Sequence, residues 1–204
     1  MRLLPFVEVE EGPLEQKRIF NVRQDRVRSG LTGREMQVDR LMVPDWVNVV
    51  AFDDDDHLIL VRQWRFGARD FSVEIPAGAL EAGEDPSAGG LRELAEETGF
   101  TPVDGRVVLL GATRPNAAFM NNRCFSLFVP LARKTREQKL DPSEEVEILR
   151  VPRTDIDGFL TRGARRCAGQ PETGGDNHPV LDSLMDNSLV LVALHLWKLH
   201  VQGG

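Results

Sequence analysis

Three glutamates, Glu93, Glu96 and Glu97, lie close together in a segment whose pattern predicts an α-helix. Residues three and four positions apart project from one face of a helix, so these carboxylates should converge. Like charges at this spacing repel each other by roughly 0.2–0.5 kcal/mol per pair, and Arg92, four residues before Glu96, offsets only part of that repulsion. A hard divalent cation with oxygen ligands removes the conflict, which favours Mg²⁺ or Mn²⁺. A solvated acidic helix face is the alternative interpretation.

The helix that would carry these carboxylates has recognisable ends. Asp85 is a suitable N-cap, Pro86 occupies the first helical position and Gly99 follows the last turn. Proline is tolerated at a helix start and glycine is favoured just past a helix end, so the sequence predicts a helix over residues 86–98.

Glycines near this helix point to close packing. Gly78 would let backbone approach closely, so the carbonyl of Ala77 could add a neutral oxygen ligand. Gly89 and Gly90 each cost roughly 1 kcal/mol relative to alanine in a helix interior. A tight approach of the helix to a sheet would explain them.

The segment from Gly78 to Phe100 matches the pattern G-x5-E-x7-R-E-U-x-E-E-x-G-U at every position, where U is aliphatic or aromatic. This pattern is the Nudix box, and the chain resembles a Nudix hydrolase. The resemblance implies that divalent metal is held by Glu93 and Glu97, with Glu96 as a further or shared ligand and a catalytic candidate. It also implies that Arg92 orients the glutamates. The remaining box positions are structural: Gly78, Glu84, which ties the loop to the helix, and Gly99.

The flanking sequence resembles one branch of that family. VRQWR at 61–65, followed by EIPAG at 74–78, is similar to the ADP-ribose pyrophosphatase and nucleoside diphosphate sugar hydrolase branch. The resemblance implies that Arg65 contacts the substrate pyrophosphate, and a guanidinium fork suits a diphosphate. Arg62 and Glu74 are further substrate-binding candidates, although Arg62 could equally be a solvent contact at a strand edge.

Two other segments complete the predicted site. The resemblance places a substrate-side loop at Pro115 and Asn116, fifteen residues beyond the box. It also implies a glutamate that acts as general base or extra metal ligand on a loop before a late strand. Glu144 is the first candidate for that role and Glu145 the second.

The implied reaction is metal-dependent hydrolysis of the pyrophosphate bond of a nucleoside diphosphate sugar. ADP-ribose, giving AMP and ribose 5-phosphate, is the first candidate substrate. A broad or GDP-mannose-type hydrolase is the alternative, and a nucleotide-sensing Nudix module without catalysis is a distant one. The resemblance also implies a homodimer.

The mixture of strand clusters and single helices predicts an α/β protein with a mixed sheet covered by helices. The resemblance implies a Nudix-type α/β/α sandwich with a mixed sheet, preceded by N-terminal antiparallel strands. Residues 1–43 form the N-terminal strand region, a candidate dimerisation element, and residues 44–204 the Nudix domain. The aspartate run at 53–56 is interpreted as a hairpin turn. Residues 162–179 lack periodicity, which predicts a functional lid or disorder. The predicted strands are 18–23, 35–43, 46–52, 57–63, 71–75, 107–113, 123–131 and 146–151, and the other predicted helices are 155–161 and 180–200.

Composition excludes several other classes of protein. The net charge of −7, from 25 basic and 32 acidic residues, disfavours nonspecific nucleic-acid binding. Two cysteines cannot form a disulfide framework. The longest apolar run, Leu189–Leu194, is too short to span a membrane, and Pro5 and Glu8 interrupt any N-terminal signal sequence. The sequence therefore predicts a cytoplasmic protein that binds no membrane.

Overall fold

The computed structural model describes residues 3–167 and 187–203. The chain divides into two compact units, one of Met1–Asp45 with Thr113–Arg123 and one of Trp46–Ala112 with Cys124–Gly204. Within the described ranges, no helix combines the length and the apolar character needed to cross a bilayer.

The first unit is built on a four-stranded antiparallel sheet. Strand β3 (Asn21–Ser29) pairs along its length with β4 (Glu35–Met42), and its two halves pair with β1 (Phe6–Glu10) and β2 (Leu14–Gln16). The prediction of a strand ending at residue 23 was wrong, because β3 continues to Ser29.

A buried charge explains that error. Asp25, in the middle of β3, is 1% exposed, and its carboxylate accepts a hydrogen bond from the Gly12 amide at 3.0 Å. Its oxygens also lie 2.9 and 3.0 Å from nitrogens of Arg23 and Arg40. A buried carboxylate paired in this way fits a strand interior, whereas in the sequence the charges at 23–26 are typical of a turn.

The second unit contains an eight-stranded mixed sheet. Its strands are β5 (Trp46–Asp53), β6 (His57–Arg65), β7 (Asp70–Glu74), β8 (Ala77–Ala79), β9 (Phe100–Pro102), β10 (Val108–Thr113), β11 (Cys124–Lys134) and β12 (Val146–Pro152). The main path of the sheet is β10-β11-β5-β6-β12. Strands β5 and β11 are parallel, whereas β6 pairs antiparallel with β5 and β12. Strands β7, β8 and β9 extend the sheet by pairing with β6, β5 and β11.

Helices cover both faces of this sheet. Helix α1 (Pro86–Thr98) packs Leu94 against the face that carries Val47, Val49 and Ala51 of β5. Helices α2 (Ile156–Cys167) and α3 (Ser188–Gly203) pack against the other face, where Val50 and Phe52 lie. Alternate residues of β5 thus enter two separate cores. The predicted α/β/α sandwich with a mixed sheet and N-terminal antiparallel strands is confirmed.

The boundaries of helix α1 were predicted more accurately than those of the other helices. The prediction of a helix over 86–98 is confirmed to the residue. Helix α2 runs to Cys167, so the prediction that it ends near 161 and that residues 162–167 belong to a loop was wrong. Helix α3 begins at Ser188. The remainder of the predicted loop, 168–179, and the predicted helical start at 180–186 lie outside the described residues.

Gly90 lies where helix α1 meets the sheet. A Cβ atom added there would collide with Leu127 and would lie 3.0 and 3.2 Å from the γ-methyl groups of Val47 and Val49. All three neighbours are fully buried, and the two valines are stiff at χ1. The glycine is therefore required by close packing of helix on sheet.

Replacing Gly90 with alanine is expected to lower the free energy of unfolding by about 1–3 kcal/mol, because overpacking outweighs the better helix propensity of alanine. Urea denaturation measures this change. Gly67→Ala is the matched control, since no atom lies within 4 Å of the added Cβ. It should shift the free energy of unfolding by less than about 0.5 kcal/mol. Equal stability of G90A and wild type would contradict the packing argument.

Candidate active site

Helix α1 presents the acidic residues from a firmly capped scaffold. The Asp85 carboxylate accepts hydrogen bonds from the amides of Ser87 and Ala88 at 2.9 and 3.2 Å. At the other end Gly99 adopts a left-handed conformation with φ of 75°, and its amide donates to the Ala95 carbonyl at 3.0 Å. These caps fix both ends of the helix, so the intervening glutamates have defined positions.

Arg92 holds the loop and the helix together. Its Nε and Nη2 donate to the two Glu84 oxygens, both at 3.0 Å, and Nη2 also donates to the Ala79 carbonyl at 3.2 Å. Its Nη1 donates to Glu93 at 2.8 Å and to Glu96 at 3.1 Å. The hydrogen bonds between Arg92 and Glu84 lower the pKa of Glu84 and raise the pKa of Arg92. One guanidinium therefore contacts the three carboxylates nearest to it.

Glu97 is the most deeply buried of the three helix carboxylates. It is 4% exposed, and its Oε2 accepts a hydrogen bond from the Ala77 amide at 3.0 Å. Burial raises the pKa of Glu97 to about 8, and the charges of Glu93 and Glu144 add to the rise. Burial also raises the pKa of Glu93, despite its hydrogen bond with Arg92. In the metal-free protein, ionisation of Glu93 and Glu97 is therefore energetically unfavourable.

Gly78 is needed because Glu93 lies against its backbone. A Cβ atom at residue 78 would overlap the Glu93 carboxylate group. Any other residue at 78 would therefore displace that carboxylate.

A cavity of about 440 Å³ collects these groups. It is lined by the three glutamates of helix α1, Glu93, Glu96 and Glu97, and by the residues of strand β8, Ala77–Ala79. Asp141 and Glu144, from the loop before β12, complete the acidic wall.

The cavity distinguishes the two candidates for the general base. Glu144 lines it, and the charge of Glu144 raises the pKa of both Glu93 and Glu97. Glu144 is held in a turn, where its carboxylate accepts from the Asp141 amide at 3.1 Å and its own amide donates to the Asp141 carbonyl at 2.9 Å. Among the described residues Glu145 is not part of this lining. The geometry therefore favours Glu144.

The loop that carries Glu144 is fastened to the end of helix α1. The Lys139 amide donates to the Glu96 carbonyl at 2.8 Å. The side-chain amide of Gln138 donates to the carbonyls of Glu97 at 2.6 Å and Val146 at 3.2 Å. Carbonyls at a helix end lack intrahelical partners, and here the loop supplies them. Sequence analysis did not identify Gln138, because no motif marks a glutamine that bonds main chain on both sides of a loop.

Arg65 is anchored by Glu74. Its Nε and Nη2 donate to the two Glu74 oxygens, both at 2.7 Å, and the Glu74 side chain is 3% exposed against 43% for Arg65. These hydrogen bonds raise the pKa of Arg65, and the charges of Glu74, Glu97 and Glu144 contribute further. The geometry shows that Glu74 anchors Arg65. The direct substrate contact of Glu74 expected from the sequence stays a prediction.

The other substrate-binding candidates make local contacts of their own. Arg62 pairs with Glu147 at 2.8 Å, and its guanidinium lies 5.0 Å from the centre of the Phe71 ring. Pro115 and Asn116 belong to the first unit, where the Asn116 side chain accepts from the Ala118 amide at 3.1 Å. Their predicted substrate contacts stay predictions.

A second acidic cluster lies at the β5–β6 hairpin, where ligand atoms of Asp53, Asp55 and His57 come within 4.8 Å of one another. The Asp53 Oδ1 accepts from the amides of Asp55 and His57 at 3.1 and 2.9 Å. Arg150 lies 3.2 Å from Asp53 and 3.7 Å from Asp55. Arg150 offsets part of the negative charge of the two aspartates. The hydrogen bonds of Asp53 close the hairpin, as interpreted from the sequence.

Sequence comparisons find a family model and known proteins that match this chain. The sequence model of the NUDIX domain family matches residues 42–167. The methanol dehydrogenase activator of Bacillus methanolicus is 30% identical over 148 residues, which cover 70% of this chain and 78% of that protein. The ADP-ribose pyrophosphatase of Bacillus subtilis (strain 168) is 38% identical over 112 residues, which cover 55% of this chain and 60% of that protein.

A solved structure extends the fold comparison to the whole chain. A crystal structure described as an ADP compounds hydrolase superposes with a TM-score of 0.72, covering 100% of this chain and 97% of that one. Its sequence identity is 18%, so this likeness shows the fold.

Proposed function

The chain belongs to the Nudix hydrolase family, and from this premise we propose that it hydrolyses the pyrophosphate bond of a nucleoside diphosphate sugar, with ADP-ribose as the first candidate. The observation that carries the proposal is the convergence of Glu93, Glu97 and Glu144 on one cavity. The pKa of Arg65 is raised mainly by its hydrogen bonds with Glu74, and the charges of Glu97 and Glu144 contribute to that rise. Acidic groups that bind cations beside a guanidinium that binds phosphate are what hydrolysis of a diphosphate requires.

The acidic residues fit a divalent cation. Glu97 is a buried carboxylate with a raised pKa and like charges nearby, an arrangement that a hard cation with oxygen ligands stabilises. Glu93 and Glu97, with Glu96 and the Ala77 carbonyl as further ligands, would hold Mg²⁺ or Mn²⁺. When bound, such a cation neutralises diphosphate charge and lowers the pKa of water.

The chain's own residues supply proton transfer, charge stabilisation and orientation of the cation ligands. Glu144 accepts the proton of the attacking water, as a general base near the reacting group does. Arg65 keeps three N–H donors beyond those used on Glu74, and these stabilise negative charge that develops on the phosphoryl oxygens. Arg92 fixes Glu93 and Glu96 through Nη1 and so preorganises the cation ligands.

Relatives support ADP-ribose as the first substrate to test. Besides the Bacillus subtilis protein, the ADP-sugar pyrophosphatase of Mus musculus is 51% identical over 43 residues, covering 21% of this chain and 20% of that protein. A broad or GDP-mannose-type hydrolase is the alternative substrate class. Residues 1–43 as a dimerisation element of a homodimer, and a cytoplasmic location, are further proposals. Sedimentation at micromolar concentration tests the dimer.

A substrate panel tests the proposed function. The purified chain is incubated with Mg²⁺ and ADP-ribose, GDP-mannose, UDP-glucose or NADH, and products are separated by chromatography. We expect AMP and ribose 5-phosphate from ADP-ribose, and loss of activity with EDTA. Similar rates on every substrate would favour the broad hydrolase, and no hydrolysis of any of them with Mg²⁺ or Mn²⁺ would contradict the proposal.

A further inference from the structure

Glu74 has a second partner besides Arg65. The side-chain amide of Asn187 donates from Nδ2 to the Glu74 Oε2 at 3.1 Å. That oxygen also accepts from Arg65 Nη2, so it is shared between the two side chains. Glu74 is 2% exposed, so its orientation is set by these protein contacts and not by solvent.

Asn187 is itself held by the start of helix α3. Its Oδ1 accepts a hydrogen bond from the Leu189 amide at 3.0 Å, which is the contact of an N-cap residue. The Leu189 carbonyl in turn accepts from the side-chain amide of Asn48 at 3.3 Å. The two polar atoms of the Asn187 side chain therefore serve two purposes, because the oxygen caps the helix and the nitrogen holds Glu74.

The core fixes the helix that presents Asn187. Val190, Ala193 and Trp197 of α3 are buried against one face of the mixed sheet. A residue capping this helix consequently has little freedom to move. Asn187 also lies outside residues 42–167, the part of the chain matched by the family model.

We propose that Asn187 is a positioning residue for Arg65, acting through Glu74, so that the packed C-terminal helix sets the direction of the guanidinium. The proposal rests on the proposed function of Arg65 as a phosphate ligand. The side chain of Arg65 is 43% exposed and would otherwise sample many rotamers. A buried carboxylate that binds Arg65 through both oxygens, and is itself held at Oε2 by Asn187, limits that sampling. Supporting hydrogen bonds of this kind preorganise a site.

Capping and positioning can be separated by substitution. Serine caps helices about as well as asparagine, but it carries no amide donor for Glu74. In Asn187→Ser the stability of the protein should therefore change little, whereas the KM for ADP-ribose should rise and kcat/KM should fall on the order of tenfold. Asn187→Asp also keeps a capping oxygen but places a carboxylate against Glu74, so its loss should be larger. Binding of Mn²⁺ should be unchanged in both variants.

A double-mutant cycle shows whether Asn187 acts through Arg65. Lysine at position 65 cannot form the bidentate contact with Glu74. In an Arg65→Lys background, Asn187→Ser should have little additional effect on kcat/KM. Additive losses, or a wild-type kcat/KM for the Asn187→Ser single variant, would overturn the proposal.

A spectroscopic measurement keeps the test independent of turnover. The Nε–H of Arg65 should give a resolved signal in the ¹⁵N–¹H spectrum, identified by its absence in Arg65→Lys. We expect that signal to broaden or shift toward free arginine in Asn187→Ser. If the wild-type chain hydrolyses no nucleoside diphosphate sugar, the proposed function fails while this spectrum still tests the positioning. An unchanged Arg65 signal would overturn the positioning proposal.

Discussion

Replacing Glu97 with glutamine is expected to lower kcat/KM by at least about 100-fold, since even residues that only support metal ligands typically contribute 10–100-fold. The same change should leave the metal-free protein at least as stable as the wild type. The amide is isosteric, its oxygen can still accept the Ala77 N–H, and it carries no buried charge. Activity would thus be lost without loss of the fold.

The pH dependence follows from the direction of the pKa shift. Because burial raises the pKa of Glu97 to about 8, the folded chain holds the proton more tightly than the unfolded chain does. The contribution of Glu97 to stability is therefore fully present below its ordinary pKa and is lost as the pH rises toward 8. Glu97→Gln should remove that loss in the metal-free state.

Thermal melts at several pH values, with EDTA and with Mg²⁺, measure the stability of E97Q and of the wild type. The wild type should gain stability on adding Mg²⁺, because a ligand that binds only the folded state stabilises it, and E97Q should gain much less. Glu137→Gln is the matched control, since the Glu137 side chain is 91% exposed, and it should behave as wild type. Full activity of E97Q, or an unchanged response of its melting temperature to Mg²⁺, would contradict the role of Glu97 as a ligand.

The second large effect is expected at Glu144. Glu144→Gln should lower kcat by a factor on the order of 10²–10⁴, the usual contribution of a general base. Glu145→Gln is its matched control and should retain activity within about twofold, because surface substitutions away from a site have small effects.

Steady-state kinetics with saturating Mg²⁺ measure this difference, and Mn²⁺ titration checks that cation binding survives in both variants. The reverse result, with E145Q inactive and E144Q active, would transfer the role to Glu145. Equal activity of both variants and wild type would require a base elsewhere.

The sequence was most informative where one short segment carries its own signals. Helix α1 was predicted to the residue because Asp85, Pro86 and Gly99 mark its ends locally. The spacing of its glutamates predicted a shared face, and the structure gathers them on one cavity. Local hydrogen bonding and periodicity suffice for both conclusions.

The sequence was less informative where contacts between distant residues determine the structure. The continuation of β3 through Asp25 depends on cations at Arg23 and Arg40, the second of them on a different strand. Asn187 bonds a glutamate 113 positions away, and Gln138 bonds a carbonyl 41 positions away. Apart from the Arg23–Asp25 pair, no short sequence window contains both partners of these contacts, so the supporting residues were found only in the structure.

The attachment of the 135–145 segment to helix α1 has a mechanical consequence. Gln138 and Lys139 bond the carbonyls of Glu97 and Glu96, the same two residues whose side chains are proposed to bind the cation. The segment that carries the proposed proton acceptor is thus bonded directly to the residues proposed as cation ligands, so the fold sets their spacing before any substrate binds. Substrate preference can then change through substitutions in other surface segments, while the distance between the proposed general base and the proposed cation ligands stays the same.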